Sequence, residues 1–203
     1  MGTTGRRLRA DAERSIRAIV VAAEEVFSRN PAATMEQIAE EAGVARTTIH
    51  RRFASREALL EAMEVTAWQE IGDAIDAARP YTAPPQVALH EATANVLRIK
   101  FGWRFTLTRP VPLSEQARTI QAEVMAKCAA AFTRARESGM LPSTTDLSWT
   151  QRAYLALLSE AAHGSTGQPE SNPGKDQETS DDPDLLAARV LGTLLHGVTG
   201  LRD

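Results

Sequence analysis

The 203 residues carry 23 Lys and Arg against 26 Asp and Glu, a formal charge of −3, with 43% hydrophobic and 24% charged positions. That balance is typical of soluble globular chains and leaves enough apolar material for a core. It excludes a transmembrane helix, since no run of 18 apolar residues occurs.

The basic start, Met1 to Arg9, is not followed by the apolar stretch of a secretion signal. The single cysteine, Cys128, can form no internal disulfide, which fits a reducing, cytoplasmic setting. Aromatic residues are only 5% of the chain while Ala, Leu, Glu and Arg abound, a mixture that favours helix over strand. Residues 1–60 hold ten basic against eight acidic residues, and the rest hold thirteen against eighteen. Arg6, Arg7, Arg9, Arg14 and Arg17 crowd the start. Two readings of this basic front stand: a polyanion partner at one end, or a solvated charged tail.

In chain order, Leu8 to Arg29 reads as an amphipathic helix, with Ile16, Ile19, Val20, Ala23 and Phe27 on one face. Asn30-Pro31 ends it, because the residue before a proline is pushed out of the α region. Thr34-Met35-Glu36-Gln37 is a capping box that opens a short helix carrying Ile38, Ala39 and Ala42 inward and stopping at Gly43. A third helix covers about Arg46 to Arg52. Ser55 caps a long fourth with Leu59, Leu60, Met63, Ile71 and Ile75 on one side.

Pro80 to Pro85 makes a proline-bearing turn between two units. Gln86 to about Thr106 follows as a helix with two apolar stripes, bending or ending near Gly102 and Pro110. Ser114 to Ser138 is a regular helix closed by Gly139. Asp146 to Ala162 and Asp184 to about Val198 complete the chain. The polar stretch 164–183 between those two predicts a mobile loop. The expected fold is all-α, with eight or nine helices and no strand.

The segment Thr34 to Arg56, TMEQIAEEAGVARTTIHRRFASR, meets the demands of a helix-turn-helix. Two short helices must pack closely, turn tightly and offer one of them to a DNA major groove. Ala39 permits the close packing and Gly43 the tight turn, while Val44, Ile49 and Phe53 anchor the second helix. At about 100° per residue, Thr47 and Arg51 then point most directly outward, with Thr48, His50 and Arg52 beside them. Arg46 falls nearer the core side by angle but can reach forward from the helix start. This face has two threonines, one histidine and three arginines, with no acid. Arginine pairs with guanine and threonine contacts bases or the thymine methyl. The competing reading is that the arginines only solubilise a short surface helix.

Residues 10 to 64, and above all the run AGVARTTIHRRFASREALLEA, resemble the TetR-type transcriptional regulators. The resemblance implies an N-terminal three-helix DNA-binding domain, residues 1–55 with the helix-turn-helix at about 34–53. A ligand-binding and dimerisation domain, 56–203, would follow. It implies a homodimer on a palindromic operator in double-stranded DNA, released when a small molecule spreads the recognition helices. Repression is the common mode in such proteins, and activation stays open. Arg46, Thr47, Thr48 and Arg51 match positions that approach base edges. Thr34, His50, Arg52 and Arg56 match positions that hold the phosphate backbone.

Two departures from the family pattern stand out: His50 replaces a usual tyrosine, and Ala45 a usual Ser or Thr. A missing capping hydroxyl costs about 1 kcal/mol, which predicts a recognition helix that is loose until DNA orders it. His50 adds the expectation that DNA affinity rises on acidification, as imidazole gains a charge. The alternative for His50 is one neutral hydrogen bond.

In the remaining two-thirds, Tyr154, Leu157, Leu158 and Ala161 form one apolar stripe and Leu191, Leu194, Leu195 and Val198 another, with Gly192 and Gly197 allowing close approach. They suit a four-helix dimer interface, or else the core of a single chain. Leu97, Phe101, Trp103, Phe105, Phe132 and Trp149 are candidate walls of a pocket for a hydrophobic effector, with His90 and Arg98 as polar anchors. Aromatics at helical spacing are more often plain core. The rival of an enzyme lacks support, since no His-Glu-x-x-His, Gly-x-Ser-x-Gly, phosphate loop or Cys/His metal spacing occurs. No cofactor, metal or membrane is called for. A further rival is a helical bundle that binds DNA without sequence preference.

Overall fold

The computed structural model describes residues 3–164 and 182–199, with side chains for 13–163 and 182–197. Among these residues there are nine helices and no strand. They are α1 (Thr3–Arg29), α2 (Met35–Glu41), α3 (Arg46–Arg52), α4 (Arg56–Ala77), α5 (Pro85–Gly102), α6 (Arg104–Thr108), α7 (Glu115–Glu137), α8 (Leu147–Gly164) and α9 (Pro183–Thr199). No described helix is long and apolar enough to cross a membrane. Of the loop expected at 164–183, residues 165–181 lie outside the described residues, as does the side chain of Val198.

The chain groups into two compact units that are not continuous in sequence. The first joins residues 1–68 to 102–118, and the second joins 69–101 to 119–203. The turn at 80–85 exists, but the compact units meet inside α4. Within the first unit α1 packs on α2 and on α6, and α2 packs on α3. Ile19, Val20, Ala23 and Phe27 of α1 are buried as the periodicity requires, together with Ile38, Ala39, Ile49, Leu59 and Met63. Ile16 departs from the expected stripe: it is 37% exposed.

The long double-striped helix expected from Gln86 to Thr106 is two helices. Gly102 ends α5, and Trp103, at φ −119° and ψ 38°, stands outside helical geometry before α6 begins. A buried acid explains where α6 starts. Glu24 of α1, 4% exposed, accepts hydrogen bonds from the backbone amides of Phe105 (2.6 Å) and Thr106 (3.1 Å) and from the Thr106 hydroxyl (2.6 Å). Those amides are among the first of α6, which the helix itself cannot pair. The carboxylate thus acts as a cap supplied from another helix. Burial pushes its pKa up, against the lowering effect of the bonds from Thr106, Phe105 and Ser28. Glu64 of α4 works likewise on the next stretch. Also buried, it accepts from the Ser114 amide at 3.1 Å and from Arg109 at 3.4 Å.

In the second unit α8 packs on α9. Asp146 caps α8, its Oδ1 accepting from the amides of Ser148 and Trp149 at 2.9 and 3.0 Å. Arg134 donates to the carbonyls of Pro80 and Ala83 and so closes the turn between α4 and α5. Tyr154 is buried, meets Phe132 edge to face at 5.3 Å and shares a 3.0 Å hydrogen bond with the Thr93 hydroxyl. Burial pushes its pKa upward and that of the Cys128 thiol to about 12, so Cys128 has no thiolate character at neutral pH.

Candidate nucleic-acid interface

The turn between α2 and α3 follows from Gly43. Its φ of +63° is a conformation that disfavours side chains with a Cβ. Two bonds close the turn, Gly43 N–H to Glu40 at 3.0 Å and Val44 N–H to Ala39 at 2.9 Å. This 5→2 and 6→1 pairing is a Schellman ending, and it satisfies carbonyls that α2 leaves open. At the other end of α2 the capping box forms in both directions: the Gln37 amide donates to the Thr34 hydroxyl at 3.3 Å, and the Thr34 amide donates to Gln37 Oε1 at 2.9 Å. Ala45 starts α3 with no side-chain cap, as its lack of a hydroxyl predicts.

Ile49 is fully buried and Phe53 nearly so, which turns the opposite face of α3 to solvent. Arg46, Thr47, His50 and Arg51 are exposed, and Thr48 and Arg52 are half-buried. Arg46 is therefore more open than its helical angle suggested, because it occupies the first turn. Its guanidinium pairs with Glu36 of α2 at 2.9 Å, and His50 Nε2 lies 3.3 Å from the same carboxylate oxygen. Glu36 entered the reading of the sequence only as part of the capping box, not as a partner of α3. Its signal was legible, being an acid in the first turn of the helix that supports the recognition helix.

Two expected phosphate contacts hold the domain together as well. Thr34 is occupied in the capping box. Arg56 donates to the carbonyls of Ala33 and Pro31 and stacks over Phe27 at 4.1 Å. It ties the loop after α1 to the start of α4.

The candidate pocket residues are divided between the two units. His90, Leu97, Phe101 and Phe132 belong to the second, with Leu97 and Phe132 fully buried. Trp103 and Phe105 belong to the first, where Phe105 stacks on Phe27 at 5.2 Å. Arg98 lies on the surface, paired with Asp184 and Asn95. Trp149 is 59% exposed with the Arg152 guanidinium 5.7 Å over its ring, because it occupies the first turn of α8 on the outer side.

Of the candidate dimer residues, Tyr154, Leu158, Leu191 and Leu194 are buried by the chain itself, whereas Leu157, Ala161 and Leu195 are half-covered. Among the described residues, a Cβ added at Gly192 or Gly197 would meet nothing within 4 Å apart from its chain neighbours and the backbone of its own helix.

Comparison with known proteins agrees with this geometry. Residues 19–63 match the pattern that defines bacterial regulatory proteins of the tetR family. A stretch of 85 residues is 36% identical to the HTH-type transcriptional repressor LfrR of Mycolicibacterium smegmatis, spanning 42% of this chain and 45% of that relative. The fold resembles the TetR transcriptional regulator SCO0520 of Streptomyces coelicolor, at 26% identity and a TM-score of 0.58, covering 90% of this chain and 97% of that one. It also resembles LfrR of Mycobacterium smegmatis in complex with proflavine, at 23% identity and a TM-score of 0.62, covering 93% and 99%. The N-terminal helix-turn-helix segment, residues 19–63, thus carries the pattern of the tetR family of bacterial regulatory proteins, and the described helices resemble the fold of solved members of that family.

Proposed function

We propose that the chain is a cytoplasmic, non-catalytic regulator of transcription that binds a palindromic operator as a homodimer and represses until a small hydrophobic effector releases it. The observation that carries this reading is the exposed face of α3. Arg46, Thr47, His50 and Arg51 stand free of the core while Ile49 and Phe53 seat the helix from beneath. A helix so presented fits a major groove, where Arg and Thr discriminate bases. Arg46, Thr47, Thr48 and Arg51 are assigned to base edges, and Thr34, His50, Arg52 and Arg56 to the backbone. DNA reading is assigned to residues 1–55, and effector binding and dimerisation to 56–203.

The dimer reading draws on Leu157, Ala161 and Leu195, half-covered in one chain, and on the open space at Gly192 and Gly197. The effector reading draws on Leu97, Phe101 and Phe132 with His90, which share one unit. LfrR, similar in fold, was solved with proflavine, a precedent for an aromatic ligand.

The test is selection of bound fragments from sheared genomic DNA by the purified chain. A recovered palindrome, with half-sites about one helical turn apart, is the expected result. Retention of all sequences alike, with steep salt dependence, would instead favour binding without specificity.

A further inference from the structure

The outward face of α3 carries no acid of its own, yet a carboxylate from α2 is set against it. Glu36 Oε1 accepts from Arg46 Nη2 at 2.9 Å and lies 3.3 Å from His50 Nε2. Arg46 and His50 are four residues apart, so they are neighbours along one side of the helix, and one oxygen engages both. Glu36 stands in the first turn of α2, where the unpaired amides favour negative charge. Its own backbone amide, then His50, then the charge of Arg46 hold its carboxyl below the usual range, so it is an anion at neutral pH.

An anion on a surface that meets phosphates lowers affinity for DNA of any sequence. It also restrains Arg46, whose flexible side chain would otherwise reach phosphates and bases alike. Held through Nη2, the guanidinium keeps its other N–H donors in one orientation, as pairing with a base edge requires.

We propose that Glu36 is a specificity-determining positioning residue, which through one carboxylate oxygen shared with His50 holds Arg46 in register for one base pair and weakens contact with unmatched DNA. This rests on the DNA-reading assignment above. Glu36 makes no base contact in this account. It acts through Arg46.

The experiment compares the full-length wild type with Glu36→Gln, Glu36→Asp, Arg46→Ala and the Arg46→Ala/Glu36→Gln double variant. Each is titrated against the selected operator and a scrambled duplex of equal length, at several salt concentrations. Glu36→Gln is expected to bind scrambled DNA about threefold to tenfold more tightly, with a salt slope steeper by about one. Its preference for the operator falls about tenfold, the order of one base-reading pair. Glu36→Asp keeps the charge but is one methylene shorter and cannot reach both partners. It loses the preference without gaining affinity for scrambled DNA. In the Arg46→Ala background, Glu36→Gln changes the preference by less than about twofold, because the residue it acts through is gone.

An operator preference unchanged by Glu36→Gln overturns the proposal, and so does an effect that persists without Arg46. A wild type that prefers no sequence overturns the DNA-reading assignment and this inference together. A wild type and a Glu36→Gln variant of equal preference overturn this inference alone.

Discussion

Glu24 sits on the buried face of α1 between Val20 and Phe27, where a purely apolar residue would satisfy the helix alone. Its carboxylate is needed because the amides of Phe105 and Thr106 end in the same place. Glu24→Ala would leave both buried donors unpaired, and we expect a loss of about 2–4 kcal/mol in urea denaturation. The pH dependence has a definite sign. Burial raises the pKa of Glu24 in the folded chain, so folding binds its proton more tightly than the unfolded state does. The stabilisation from this group is complete below the ordinary carboxylate range and is lost as pH rises through the raised value. Glu24→Gln carries no titrating proton at this position. Its stability relative to wild type should therefore improve between pH 4 and 7, and a difference that is flat with pH would refute the argument.

Among the helices, α2 and α3 are a matched pair with unequal ends. The start of α2 is closed by a complete capping box and its end by the Gly43 turn. The start of α3 has no side-chain cap, since Ala45 has nothing to offer. Thr34→Ala should lower stability by about 1 kcal/mol, and Ala45→Ser should raise it by a similar amount. In a chain of this length each change corresponds to about 3 °C in the melting temperature, with opposite signs. These substitutions also bear on DNA reading. A capped α3 is ordered before it meets DNA, so Ala45→Ser should tighten operator binding by a few-fold, which a titration of the two proteins on one duplex would show.

For the assembled protein, burial separates what folds the chain from what is proposed to join two copies. Leu194 is buried by its own chain and Leu195, beside it, is half-covered. Leu194→Ala should cost about 2–5 kcal/mol in folding. Leu195→Arg should leave the melting transition of the protomer in place and shift sedimentation from dimer to monomer at micromolar concentration. If wild type sediments as a monomer there, the dimer is refuted. If Leu195→Arg remains dimeric, α9 is not the interface.

The helices and the exposed face of α3 were legible in the order of residues because their causes are local. Ile49 and Phe53 lie on one side of a short helix, Gly43 permits its turn, and Thr34 with Gln37 starts the helix before it. Each of these depends on neighbours within a few positions. The range of α3, Arg46–Arg52, matches the expected one for that reason. The break at Gly102 and Trp103 could be sensed from the glycine, but the start of α6 is set by Glu24, some eighty residues earlier. Likewise the pairing of Glu36 with Arg46 and His50, and the turn of Arg56 toward Ala33 and Phe27, join residues on different elements. Hydrophobic periodicity reports which side of a helix is covered and is silent about what covers it. The secondary structure and the exposed face of α3 were therefore fixed locally by residue type and spacing, while the carboxylate partner of Arg46, the carbonyl partners of Arg56 and the cap of α6 arose only when packing brought distant segments within hydrogen-bond range.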